Sequence, residues 1–181
     1  SKMMTPTMRA ELLEQFPGVN GAGVLDFVTA WYAKASAFME KNKVVRAALV
    51  STNSITQGEQ VPILWKHLFE KGVHINFAHQ TFKWSNDARS NAGVHCVIIG
   101  FSFSQTPVRR LFTYKTVKDE PIEQSAGNIN GYLINADSVF IENRTKPICD
   151  VPPMVSGNKP IDNGEYLFTS EQKNVFIAKE P

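Results

Sequence analysis

Only 2 cysteines occur among the 181 residues, Cys96 inside an apolar run and Cys149 in a proline-rich stretch. That number excludes a disulfide framework, and their spacing to the 4 histidines matches no zinc pattern. No metal is expected. Long apolar runs are also missing: none approaches the roughly 20 residues of a membrane span, and no apolar segment of signal-peptide kind opens the chain. A cytoplasmic protein without a membrane partner is expected. Charge of one sign is lacking too, with 19 Lys and Arg against 17 Asp and Glu and a net charge of +2. Such a balance neither demands nor excludes nucleic acid, because a local basic patch matters more than the total. Catalytic triads, HExxH zinc helices and phosphate-binding glycine loops are absent from the sequence. Gly21-Ala22-Gly23 resembles the start of a dinucleotide fingerprint, but the third glycine is missing and no strand precedes it.

What is present is organised around Val44 to Phe103. Val44 to Val50 is a nearly continuous apolar run of strand length, followed by the polar loop Ser51 to Gly58. Ile63, Leu64, His67 and Leu68 then fall on one face of a helix, and Gly72 stands where a left-handed cap closes it. Val73 to Phe77 alternates with period two, and Val94 to Phe103 is a second apolar run. Strand, helix and strand form a βαβ unit, so the first two strands are expected to be parallel neighbours joined by a right-handed crossover. The connection Gln80 to Gly93 lacks a crossover helix, which predicts that the Val94 strand pairs antiparallel to the Val73 strand. Unbroken apolar runs suggest strands buried on both faces. Ligands of open α/β sheets sit beyond the carboxyl ends of the strands, which draws attention to Ser51–Gln57 and Gln80–Trp84.

Elsewhere, Thr5-Pro6 has the pattern of an N-cap and a first helical residue, with Met8, Leu12 and Phe16 on one edge of a short helix. From Val24 to Lys41 apolar residues recur with helical period, including Leu25, Trp31, Tyr32, Phe38 and Met39, which predicts a wide buried face. Asp26 is expected in the first turn of that helix, beside the terminal amides. Beyond Phe103 the texture changes. Arg109–Lys115 and Ser138–Ile141 have strand character, while Thr145 to Gly164 is punctuated by prolines and reads as extended segments and turns. The packed α/β part is expected to give way to a loop-rich β segment between 104 and 118, dividing the chain into residues 1–110 and 111–181.

Thr81-Phe82-Lys83-Trp84 is the most suggestive cluster. Phe82 and Trp84 lie in a polar segment flanked by Lys83, Asn86 and Arg89. A stacking plane beside backbone-neutralising charge is what an unstacked nucleobase requires; the plainer alternative is that both aromatics cap the sheet edge. Thr52 and Asn53 offer hydroxyl and amide groups at another strand end, or simply begin the next helix. His74, His79 and His95 are most simply structural.

Leu25–Tyr32, Val50–Gln60, His79–Trp84 and Val94–Phe101 closely resemble consecutive blocks of the MmeI-like DNA methyltransferases, bacterial restriction–modification proteins of the gamma N6-adenine class. Gly157–Gly164 is similar to a block near the start of their target recognition domain. The resemblance implies the C-terminal half of a Rossmann-like class I methyltransferase fold, with parallel strands and an antiparallel edge pair. It also implies transfer of a methyl group from S-adenosylmethionine to an adenine flipped out of double-stranded DNA. Phe82 matches the aromatic that stacks on the flipped base, Asp26 and Trp31 match positions against the cofactor, and Thr52 and Asn53 line the same cleft. Lys83, Arg89 and Lys159 are expected to meet the DNA backbone. The family's glycine-rich donor loop and its Asn-Pro-Pro-Phe/Tyr motif do not occur; Val151-Pro152-Pro153-Met154 has neither the amide nor the aromatic. The chain is therefore expected to be a fragment running from just after that motif, inactive alone, without a catalytic residue of its own, and able to self-associate through a truncated sheet edge. A non-catalytic α/β module that binds nucleic acid or protein is the alternative.

Overall fold

The computed structural model describes residues 4–84, 93–142, 144, 146–147, 149–151 and 168–179; the chain divides into two units, Ser1–Asn143 and Arg144–Pro181. The first unit opens with α1, Pro6–Glu14. Thr5 caps it by accepting the Met8 N–H at 3.2 Å, and Pro6 occupies a position where no donor is needed. Leu12 and Phe16 are buried. Helix α2, Thr29–Glu40, buries Thr29, Tyr32, Ala33, Ser36 and Met39 at helical spacing. Its buried face is narrower than the sequence predicts, because Trp31 and Phe38 lie on the opposite side, 57% and 67% exposed.

Strand β1, Arg46–Thr52, leads through a short 3-10 turn, Asn53–Thr56, into α3, Gln60–Glu70. The buried stripe of α3 runs through Val61, Leu64, Trp65 and Leu68, turned slightly from the expected one, and Ile63 and His67 lie at its margin. Gly72 closes this helix at φ 89°: its own N–H reaches Phe69 O at 2.9 Å and the Val73 N–H reaches Leu68 O at 3.1 Å. Those two bonds satisfy carbonyls that the helix end leaves unpaired. The chain continues as β2, His74–Trp84, β3, Val94–Ser102, β4, Arg109–Thr113, and β5, Ile122–Ala126.

The sheet order is β1-β3-β2-β4-β5. Strand β3 pairs antiparallel with β2, as its helix-free connection predicts, and antiparallel with β1 as well. Strands β1 and β2 therefore run in the same direction but are not neighbours, contrary to expectation. The reason lies in β3, the most buried of the three, which gains two pairing partners by inserting between them. The Ser138–Ile141 run is not a strand; Val139 and Ile141 are 66% and 76% exposed.

Directly opposed residues share a face, so the register sorts the sheet. Ser51, Leu49 and Ala47 of β1 oppose Val97, Ile99 and Phe101 of β3, which are fully buried, and Ile75 and Ala78 of β2 stand on that same face. Tyr32 of α2 stacks on Phe101 at 5.2 Å and meets Trp65 of α3 edge-on at 5.6 Å, so both helices cover this face. The Tyr32 hydroxyl shares a 2.8 Å hydrogen bond with Ser51 Oγ, which makes its burial tolerable. The other face carries Ala48, Val50, Ile98, Phe77, His79 and Phe82. Val50 remains 50% exposed there, so β1 is covered on one face only and not on both. The ring of Phe77 lies across Gly100, a close approach that a side chain would block.

In the second unit, Thr169 and Gln172 cap α4, Ser170–Lys179, reciprocally. The Gln172 N–H donates to Thr169 Oγ1 at 3.2 Å, and the Thr169 N–H donates to Gln172 Oε1 at 2.9 Å.

Candidate nucleic-acid and cofactor cleft

Because β1, β2 and β4 run in one direction, their carboxyl ends share an edge, carrying Thr52, Trp84 and Thr113. The loop after β1 is held from inside: Ile55 is fully buried, and Trp65 Nε1 donates to its carbonyl at 2.9 Å. The Thr56 hydroxyl donates to Asn53 O at 2.8 Å, which leaves the Asn53 side chain free of its own turn. Asn53 Nδ2 reaches across to Thr81 Oγ1 at 3.4 Å and joins the β1 and β2 ends. Thr52 and Ser54 share a hydroxyl contact of 3.0 Å at the surface.

Asp26 joins the same loop by a different route from the one its sequence position suggests. It stands ahead of α2, not in its first turn, because its carbonyl accepts both the Thr29 N–H at 2.9 Å and the Thr29 hydroxyl at 2.8 Å. Its carboxylate Oδ2 accepts Gln60 Nε2 at 2.8 Å, and its N–H donates to Gln60 Oε1 at 3.1 Å. The two-way pairing with the first residue of α3 fixes Asp26 to the segment that follows Asn53.

Phe82 owes its direction to a β-bulge. His79 opposes Ile98 and Phe82 opposes Cys96, so three steps along β2 match two along β3. In a regular strand, residues three apart point to opposite faces. The extra residue turns Phe82 and Trp84 onto the face that carries His79, a re-aiming that bulges produce. Gln80, inside the bulge, donates through Nε2 to Leu133 O at 2.8 Å. Leu133 itself has a left-handed φ of 56° and is buried, in a turn built around Asn130, whose Oδ1 accepts the Tyr132 and Ile134 N–H groups at 3.0 and 3.3 Å.

An aromatic ladder runs beside the bulge. Phe82 stacks on Tyr114 at 5.6 Å with 28° between the rings, and the Tyr114 hydroxyl is bonded to His79 Nδ1 at 2.7 Å. His79 stacks on Phe112 at 4.1 Å and 4°, and the Arg110 guanidinium lies 5.1 Å from the Phe112 ring. Arg110 is held in turn by a bidentate pair with Glu123, at 2.7 and 2.9 Å. Burial lowers the His79 pKa, helped by Arg110, and burial raises that of Tyr114, helped by Glu120. Both shifts favour the neutral imidazole and the neutral phenol at pH 7, a pair in which the hydroxyl can donate to Nδ1.

Trp84 lies 6.2 Å from Phe82 and is 47% exposed. Lys83 is exposed, and its backbone N–H is tied to Val117 O at 2.6 Å. Trp31 stands on the open side of α2 with Lys34 Nζ 5.9 Å from its ring. Asn86, Arg89 and Lys159 lie outside the described residues. The partners of His79 and Gln80, and the parts taken by Tyr114 and Gln60, escape sequence reasoning because they depend on the bulge and on pairings across 20 residues or more. A cavity of about 690 Å³ lies elsewhere, between the Pro17–Gly21 loop and α3, and includes none of the strand-end residues. The strand edge, where amide, hydroxyl and aromatic groups converge, is the better candidate site. Among the described residues no cluster of three or more His, Cys, Asp or Glu is placed to hold a metal, and no helix is long and apolar enough to cross a membrane.

A mixed sheet with polar and aromatic side chains at the carboxyl ends of β1, β2 and β4, together with its likeness to a solved methyltransferase, defines a Rossmann-like α/β protein of the methyltransferase kind. Residues 1–113 match the model of the MmeI DNA-methyltransferase domain, and residues 135–181 match that of the MmeI target recognition domain. The chain belongs to the MmeI methyltransferase family. It is 39% identical over 182 residues to DNA methyltransferase A of Bacillus subtilis (strain 168), covering all of this chain and 20% of that protein. It is similar, with a TM-score of 0.83 and 47% identity over 98% of its length, to the type IIL restriction–modification enzyme MmeI solved in complex with DNA, of which it spans 24%. The chain spans about a fifth to a quarter of the length of these relatives.

Proposed function

We propose that this chain forms the base-binding wall of a bacterial, cytoplasmic DNA adenine-N6 methyltransferase that uses S-adenosylmethionine, with Phe82 stacking on an adenine flipped out of double-stranded DNA. The observation that carries the proposal is the bulge at Gln80–Thr81, which turns Phe82 onto the His79 face at the carboxyl edge, next in the chain to Thr81, whose hydroxyl accepts the Asn53 amide. A flipped base needs a π-face and polar groups at its rim, and this edge supplies both. S-adenosylmethionine, when bound, supplies an electrophilic methyl group on a sulfonium. The residues present fit one wall of its site: the Asp26 carboxylate suits a hydroxyl or amino group, and the Thr52 hydroxyl and Asn53 amide suit polar edges. Trp31 keeps an open indole for the same ligand. These side chains bind and orient; the acceptors that align an amino nitrogen for transfer are not among them.

Lys83, with Arg89 and Lys159, serves the DNA backbone in this reading, and the recognition part begins at residue 111. Self-association through the β1 edge is the corresponding hazard of the isolated chain. The test is product analysis with the full-length protein that carries this chain. Incubated with duplex DNA and S-adenosylmethionine labelled on the methyl group, it should leave the label as N6-methyladenine in digested DNA. Label recovered as a methylated cytosine, or none incorporated, overturns the assignment.

A further inference from the structure

We propose that Tyr114, held by His79, is a positioning residue for Phe82 and thereby sets the geometry of the flipped base; this rests on the reading of Phe82 given above. A base stacked on one face of a phenyl ring gains most when that ring is already immobile, because ordering it at the moment of binding costs free energy. Phe82 sits directly after a bulge, which sets the face its side chain takes but leaves the rotation of its ring to the neighbours it packs against. What fixes the ring is the stack on Tyr114, at 5.6 Å and 28°.

Tyr114 is itself fixed at both ends. Its backbone follows β4 directly, and β4 pairs parallel with β2 through Phe77↔Arg110, Ala78↔Leu111 and His79↔Phe112. Its hydroxyl is bonded to His79 at 2.7 Å, and the imidazole lies flat on Phe112 at 4.1 Å. A few residues on, Val117 O accepts the Lys83 N–H at 2.6 Å, so the chain beyond Tyr114 grips the residue beyond Phe82. The two segments thus clasp each other on either side of the stack. Tyr114 is also the first residue past the stretch matched to the methyltransferase model. The support of the base-stacking ring therefore comes from just outside the matched methyltransferase stretch.

An aromatic pair of this kind contributes enough to change a rate about threefold to tenfold. In the full-length protein, Tyr114→Ala should slow single-turnover methyl transfer by about that factor, leaving S-adenosylmethionine affinity unchanged. Tyr114→Phe keeps the ring and loses the His79 bond, so it should recover most of the rate; Tyr114→Leu, which fills space without a π-face, should not. The deciding measurement is a double-mutant cycle, because residues acting through one contact are non-additive. If Tyr114 works through Phe82, adding Tyr114→Ala to Phe82→Ala should slow transfer no further. Equal losses in both backgrounds, or Tyr114→Leu transferring as fast as Tyr114→Phe, overturn the positioning role. Phe82→Ala with normal transfer overturns the stacking assignment itself, and the role of Tyr114 falls with it. Normal transfer by Tyr114→Ala while Phe82→Ala is slow removes Tyr114 alone.

Discussion

Tyr32 shows how much one side chain joins together. It stacks on Phe101, meets Trp65 edge-on and bonds to Ser51, so the α2–α3–sheet contact passes through a single phenol. Tyr32→Phe leaves the buried Ser51 hydroxyl short of a partner and should destabilise the fold by about 1 kcal/mol, measured by urea denaturation. Burial raises the Tyr32 pKa well above its ordinary value. The folded state therefore resists ionisation that the unfolded chain permits, and the stability from the neutral phenol is complete below about pH 10 and lost as pH rises beyond it. Denaturation midpoints taken from pH 8 to 11 should fall at the alkaline end, and the fall should be shallower in Tyr32→Phe. Identical alkaline profiles would place the loss on other groups. The aromatic content of this helix read from the sequence as core; Tyr32 meets that expectation, and Trp31 and Phe38 do not, because a rotation of about 100° between successive residues separates a core position from an open one.

Among the elements, α3 was the most legible because its end is chemically marked. Gly72 adopts the left-handed conformation that its place after the helix predicts. Gly72→Ala should cost about 1 kcal/mol through strain at that φ, visible as a lowered urea midpoint; an unchanged midpoint would mean the cap relaxes without loss. The three central strands were legible as apolar runs, and the antiparallel pairing of β2 and β3 followed from the missing crossover helix. Their order was not, since nothing in β1 or β2 records that β3 inserts between them. Strand β5, Ile-Glu-Gln-Ser-Ala, buries only Ala126 and is held by backbone pairing with β4, so hydropathy gives it no signature. The converse holds at Ser138–Ile141, where Phe140 packs on Phe69 while Val139 and Ile141, without a partner strand, stay exposed. Helix α4 is marked in the sequence only by Thr169 and Gln172, which have the spacing of a capping box. The bulge in β2 is invisible in principle: the sequence carries Phe82, but its face depends on how Gln80 and Thr81 are accommodated opposite β3.

For the molecule as a whole, the separation of groups matters most. The edge assembled here holds stacking, hydroxyl, amide and carboxylate groups, without the glycine-rich loop that cradles a nucleoside donor and without the Asn-Pro-Pro acceptors. The 181-residue chain by itself should therefore transfer no methyl group and bind S-adenosylmethionine weakly. Isothermal titration of folded chain should give a dissociation constant well above the micromolar range, and micromolar binding would show that Asp26 and its neighbours form more than one wall. The central claim, however, is the direction of Phe82. Stacking contributes about 1–3 kcal/mol per base, so in the full-length protein Phe82→Ala should lower the single-turnover rate of methyl transfer about tenfold to a hundredfold. Phe82→Trp should be milder, and Trp84→Ala should transfer at close to the parental rate. Normal transfer by Phe82→Ala together with slow transfer by Trp84→Ala would contradict the account and move the flipped base to Trp84.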